Sequence, residues 1–153
     1  MVHRVGIIGL GTVGSRFVEQ FNRHSAFDLT AAWDVDPAAR SIHNGSVNIC
    51  SSADEVIADS DLVYIAVPPH HHHDYVLSCI AGDTAIFCEK PLGIDLRSSR
   101  ELVDAVMRSG LPAGVNFVFS AAPSARELQH KVASGGLGEL TRVDLRLHFS
   151  KWP

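Results

Sequence analysis

Residues 6–14, GIIGLGTVG, constrain this chain more than any other stretch. Gly9, Gly11 and Gly14 stand directly after the apolar run HRVGIIG (3–9) and open TVGSRFVEQFNRH (12–24), where Val13, Phe17 and Phe21 recur every four residues. The run reads as a buried parallel strand, and the periodic segment as a helix with one apolar face. In such a strand-to-helix turn each glycine has a mechanical task. Gly9 allows the tight turn, Gly11 lets the backbone approach a pyrophosphate, and Gly14 lets the helix pack close to the strand. Thr12 and Val13, in the first helical turn, bring free N–H groups and the positive end of the helix dipole to the phosphates. Asp34 lies twenty residues after Gly14, at the end of the next strand. A carboxylate there accepts hydrogen bonds from both ribose hydroxyls and repels a 2′-phosphate, which points to NAD rather than NADP. Arg40 leaves NADP possible, because it could accept a 2′-phosphate. Asp36 could share the ribose role, but capping the helix that Pro37 opens is its preferred task.

The rest of the chain repeats the same unit. Strands are expected at 3–9, 27–35, 46–50, 61–67, 84–90 and 113–119. Helices are expected at 12–24, 36–43, 52–58, 73–81, 95–110 and 123–136. Ser52 should cap one of these helices, and Gly110 should stop another. Strands alternating with helices predict an α/β fold: a Rossmann-type, doubly wound parallel sheet with helices on both faces. The last segment, LTRVDLRLHF (140–149), differs. Thr141, Val143, Leu145, Leu147 and Phe149 alternate with Arg142, Asp144, Arg146 and His148, as in an antiparallel strand with one wet face. Such a strand cannot bury its own apolar face. It is expected to begin an incomplete second domain or to pair with another subunit. This divides the chain into a dinucleotide-binding domain over 1–122 and, over 123–153, a connecting helix and the first strand of a truncated substrate or oligomerisation domain. A homo-oligomer through residues 140–153 is one consequence.

Composition excludes several other classes. The chain has 153 residues and is 46% hydrophobic, enough for a real core. A formal net charge of −4 offers no basic excess for nucleic acid. No apolar run approaches the roughly 18–20 residues needed to cross a bilayer, and the start lacks the order of a signal peptide. Cys50, Cys79 and Cys88 have no paired spacing and read as reduced thiols of a cytoplasmic protein.

VPPHHHHDY (67–75) holds four consecutive histidines. Their internal position argues against a tag. Adjacent histidines diverge rather than converge, and no paired cysteines or carboxylates stand near them, so no metal site is expected. The run follows a strand at the carboxyl edge of the sheet, where ligands bind in open α/β folds. A polar loop and first helical turn, with one or two histidines touching a ligand, is the reading here. FCEKPLG (87–93) places Glu89 and Lys90 at the end of another strand on the same edge. A lysine there can hydrogen-bond a substrate hydroxyl and the nicotinamide ribose, and can stabilise charge as the hydroxyl loses its proton.

These stretches together resemble the Gfo/Idh/MocA (glucose–fructose oxidoreductase / inositol dehydrogenase) family over almost the whole chain. The resemblance rests on VGIIGLGTVG, Asp34, the small residue–Pro pattern of Val67 and Pro68 followed by His72, and above all Glu89-Lys90-Pro91. PSARELQHKVASGGLGEL (123–140) is similar to the segment leading out of the family's nucleotide domain. The resemblance implies hydride transfer between a nicotinamide cofactor and a sugar- or polyol-like alcohol, with Lys90 as the catalytic residue. It implies a cofactor site at Gly9, Gly11, Thr12, Val13, Gly14, Asp34, Val67, Pro68, His72, Glu89 and Lys90. It also implies a Lys90–Pro91 peptide that is often cis. Two departures stand out. Ser120 occupies about the place of an arginine found in many members, and no Asp-x-x-x-His motif follows Lys90. The chain by itself is therefore expected to bind cofactor but turn over little. His130 and His148 read as surface residues. A non-catalytic dinucleotide-binding regulatory or partner-dependent module is the alternative function. A methyltransferase binding S-adenosylmethionine is a weaker third, since it has no use for Lys90.

Overall fold

The computed structural model describes residues 1–144, 146 and 148. Five parallel strands form one sheet: β1 (His3–Ile8), β2 (Phe27–Trp33), β3 (Leu62–Ile65), β4 (Ala85–Cys88) and β5 (Ala113–Val115), in the order β2-β1-β3-β4-β5. The helices are α1 (Thr12–Arg23), α2 (Pro37–Ile42), α3 (Ala53–Ala58), α4 (His72–Ala81), α5 (Leu96–Ser109) and α6 (Pro123–Ala133). Chain direction reverses across the sheet at β1. The connection through α1 leads to one side, and the one through α2 and α3 leads to β3 on the other. The carboxyl ends of β1 and β3 therefore open a crevice between them.

Period-two alternation sorts the strand residues onto two faces. Ile8, Ala31, Val63, Ile65, Ile86 and Cys88 pack with Val56 of α3, Cys79 of α4 and Leu102 of α5. Val5, Ile7, Leu29, Ala32 and Tyr64 pack with Val18 and Phe21 of α1. Val5, Ile7 and Ile8 are wholly buried. This is why residues 5–8 read as an unbroken apolar run, and each such side chain contributes about 1.5–3 kcal/mol.

The helix ends follow local chemistry. Ser52 caps α3 by accepting from Glu55 N–H at 3.2 Å, and Asp36 caps α2 by accepting from Ala38 N–H at 2.8 Å. Asp95 and Ser98 form a reciprocal capping box on α5, which ends at Gly110 with φ +72°.

Two expected strands are corrected. Residues 46–50 form no strand; Ala32 N–H donates to Asn48 O and Cys50 N–H to Ala32 O, both at 2.9 Å, and the pairing stops there. Between the turn at Gly45, with φ +87°, and the cap at Ser52, Ile49 makes one isolated bridge to Ala32 and Val47 another to Asn44. Of the strand expected over 113–119, only Ala113–Val115 forms, and Val118–Ala121 is a turn of 3₁₀-helix. The strand expected over 140–149 includes Leu145, Leu147 and Phe149, which lie outside the described residues, and 140–144 form no strand.

The chain divides into two compact units, Met1–Asn116 and Phe117–Pro153. All five strands and both core clusters belong to the first. Among the described residues no helix is long and apolar enough to cross a membrane.

Candidate functional site

The turn after β1 is built around its first and third glycines. Gly9 has φ +99°, and a Cβ there would stand 2.6 Å from Ala66 O. A Cβ on Gly14 would stand 1.8 Å from Gly9 O, so helix and turn touch backbone to backbone. A Cβ on Gly11 would meet nothing within 4 Å, so the protein's own packing does not ask for glycine there. Gly11 N–H takes no backbone acceptor among the described residues. The first N–H groups of α1, at Thr12 and Val13, have no intrahelical partner. Bare backbone beside a row of free donors at a helix start is the surface that a pyrophosphate needs.

Asp34 stands past the end of β2. Its Oδ2 accepts Leu10 N–H at 2.6 Å and its Oδ1 accepts Asp36 N–H at 2.8 Å. The carboxylate is thus fixed in place, and each oxygen keeps a lone pair for a ribose hydroxyl. Arg40 Nη1 donates to Asp34 O at 2.7 Å, which ties its guanidinium to the strand end. Gly9, Gly11, Trp33, Asp34, Val67 and Pro68 line a cleft of about 270 Å³. Val35, Ala66, His71 and Tyr75 complete it; sequence reasoning named none of them singly, His71 being one of a run in which one or two histidines were expected to touch a ligand.

The histidine run divides within itself. Pro69–His71 is a 3₁₀ turn and α4 begins at His72. His72, expected to touch cofactor, is fully buried; Nε2 lies 2.9 Å from Val67 O and Nδ1 3.1 Å from Leu92 O. It fastens the turn after β3 to the segment after Lys90, and its neighbour His71 faces the cleft. Among the described residues no three of His, Cys, Asp and Glu are grouped to hold a metal ion. The three cysteines are free and buried, and burial pushes the Cys79 and Cys88 thiols up to about 12.

Glu89 and Lys90 part company as well. Glu89 is buried. Its Oε1 accepts from Tyr64 Oη and from Asn116 Nδ2, and its Oε2 accepts Lys90 N–H at 3.2 Å. Burial and the adjoining Glu89 carboxylate raise the Tyr64 phenol far above its ordinary value. The carboxylate therefore links β3, β4 and the end of β5 instead of facing the crevice. Lys90 is exposed at the carboxyl edge, makes no ion pair among the described residues, and precedes a cis peptide to Pro91. Tyr64 and Asn116 could not be found from sequence, since Asn116 meets Glu89 across 27 residues.

Residues 3–117 match the family described as an oxidoreductase family with an NAD-binding Rossmann fold, Gfo/Idh/MocA. The chain is 37% identical over 110 residues to inositol 2-dehydrogenase of Cereibacter sphaeroides, covering 69% of this chain and 33% of that one. It is 27% identical over 142 residues to 1,5-anhydro-D-fructose reductase of Ensifer adhaerens, covering 90% of this chain and 43% of that one. Scyllo-inositol dehydrogenase from Lactobacillus casei, solved with bound NAD(H) and scyllo-inositol, shares the fold with a TM-score of 0.84 at 24% identity, covering 92% of this chain and 44% of that one. The chain thus spans less than half the length of these relatives. With the glycine turn, the strand-end acid and the exposed lysine on one sheet edge, the chain belongs to the Gfo/Idh/MocA oxidoreductase family through its NAD-binding Rossmann fold.

Proposed function

We propose that this chain binds NAD along the carboxyl edge of its sheet and serves an oxidoreductase acting on a sugar- or cyclitol-like alcohol. The observation that carries the reading is the contrast among the three glycines: two are packed against backbone, and the middle one is open beside unpartnered N–H groups. Gly11, Thr12 and Val13 would hold the pyrophosphate, and Asp34 the adenosine ribose. Val67 and Pro68 would form the cleft wall on the β3 side. Asp34 favours NAD over NADP, because its fixed carboxylate repels a 2′-phosphate.

NAD, when bound, supplies the hydride chemistry. Lys90 is the residue of this chain suited to the alcohol. Its ammonium can donate to the substrate oxygen and stabilise the negative charge that grows there as the proton leaves. Glu89 and His72 hold the backbone on either side of Lys90–Pro91. The relatives extend well beyond the matched region, and we assign substrate selection to that further sequence. The 153-residue chain alone is expected to bind cofactor and turn over little.

The test is a titration with NADH and NADPH, following energy transfer from Trp33, which lines the cleft. Saturable binding with NADH preferred supports the reading, and Asp34→Ala should weaken NADH binding about tenfold while narrowing the preference. Absence of saturable binding by the unaltered chain would sink it.

A further inference from the structure

We propose that Ser15 and His43 are positioning residues for the pyrophosphate, acting through the Leu10–Gly11 peptide; this rests on the NAD reading above. Leu10 sits between two glycines, so each of its flanking peptide planes adjoins a residue that rotates at little steric cost. A pyrophosphate site needs those planes fixed before the ligand arrives. Asp34 fixes the first by accepting Leu10 N–H at 2.6 Å. Ser15 fixes the second: its Oγ–H donates to Leu10 O at 2.8 Å. A peptide is planar, so holding Leu10 C=O on the Ser15 side turns Gly11 N–H to the opposite side, where it meets no backbone acceptor among the described residues.

His43 completes the chain of bonds. It follows α2 and is buried, with Nε2 2.8 Å from Ser15 Oγ. Ser15 has one hydroxyl proton, and the carbonyl of Leu10 can only accept it. His43 Nε2 must therefore carry a proton and donate to Ser15. That donation holds the hydroxyl in the rotamer that reaches Leu10. The relay His43 Nε2–H to Ser15 Oγ–H to Leu10 O ends on the peptide that presents Gly11 N–H. Neither side chain is among the residues lining the cleft, so both act on the coenzyme through backbone.

The experiment measures NADH affinity and melting temperature together on the purified chain. Ser15→Ala removes one hydroxyl at a helical position that alanine favours, and it is expected to weaken NADH about tenfold with little change in melting temperature. His43→Leu is expected to weaken NADH about threefold to fivefold, and the double variant no further than Ser15→Ala, since both act on one bond. His43→Gln, which keeps an N–H at the reach of Nε2, should hold affinity near that of the unaltered chain, whereas His43→Asn, one carbon shorter, should behave as Leu does. A purely structural tie between α1 and α2 would move melting temperature and affinity in step and give Gln no advantage over Asn. Unchanged affinity in Ser15→Ala, additive losses in the double variant, or no rescue by Gln each overturns the relay. No saturable binding of NADH by the unaltered chain overturns the coenzyme reading and this proposal with it.

Discussion

Gly11 and Gly14 lie one helical turn apart and are glycines for opposite reasons. At Gly14 the protein itself forbids a side chain, because a Cβ would press into Gly9 O at 1.8 Å. At Gly11 the protein is indifferent: φ is −66°, which any residue adopts, and no atom lies within 4 Å of a Cβ. Gly14→Ala should therefore cost about 3 kcal/mol or more in a urea titration, since backbone must move. Gly11→Ala should cost less than about 1 kcal/mol in the same titration, a weaker N-cap being its main penalty. Its NADH affinity should nonetheless fall more than about tenfold, because the methyl group occupies the approach to the free N–H groups. Equal stability losses in the two variants, or undiminished NADH binding by Gly11→Ala, would contradict these roles. The sequence spacing identified the three glycines and assigned this division, Gly11 to the pyrophosphate and Gly14 to helix packing. Within the histidine run it could not tell inward His72 from cleft-facing His71, because the helix start that rotates them is a matter of one residue.

At the scale of elements, the carboxyl edge of the sheet is held by Tyr64, Glu89 and Asn116. Tyr64 lies on β3, Glu89 follows β4 and Asn116 follows β5, so one buried carboxylate ties three strands just where Lys90 emerges. Tyr64→Phe leaves Glu89 buried with one donor fewer and should cost about 1–3 kcal/mol at neutral pH. Asn116→Ala should cost a similar amount, and the two losses should not add, since they share one acceptor. The phenol also sets a pH dependence. Its folded value lies above the ordinary 10.0 of the unfolded chain, so folding favours the protonated form. That contribution is fully present below about pH 10 and is lost as pH rises beyond it. Urea midpoints of the unaltered chain should fall above pH 10, and those of Tyr64→Phe should fall less steeply; Tyr75, also raised by burial, leaves part of the slope in place. Parallel alkaline slopes in the two proteins would contradict the Tyr64 assignment. The apolar runs of β1 and β3 were legible because burial on two faces leaves little that is polar in them, and the long helices because their apolar residues recur on one face. Residues 46–50 and 116–119 were misread for the converse reason. Both carry strand-like composition, but each begins at a feature that leaves no periodic trace, a turn at Gly45 before the first and a side-chain bond from Asn116 at the start of the second.

For the whole molecule, the two core clusters, the glycine turn, Asp34, Lys90 and the Glu89 network all lie within Met1–Asn116. None of the described residues after Asn116 is buried. Alternation of strands and helices placed a boundary at 122; the fold's compact unit runs to Asn116, the last buried residue among those described. We propose that residues 1–122 fold and bind coenzyme as an independent domain. Denaturant sensitivity scales with the surface exposed on unfolding, so removing a segment none of whose described residues is buried should leave the slope of a urea titration almost unchanged. A chain ending at residue 122 is therefore expected to unfold in one cooperative step, with stability within about 1 kcal/mol of the 153-residue chain. It should bind NADH within about twofold of the longer chain's affinity, a difference smaller than the loss of one hydrogen bond. A broadened transition, a markedly lower slope or lost NADH binding would show instead that residues 123–153 supply part of the core or hold the sheet edge in its binding shape.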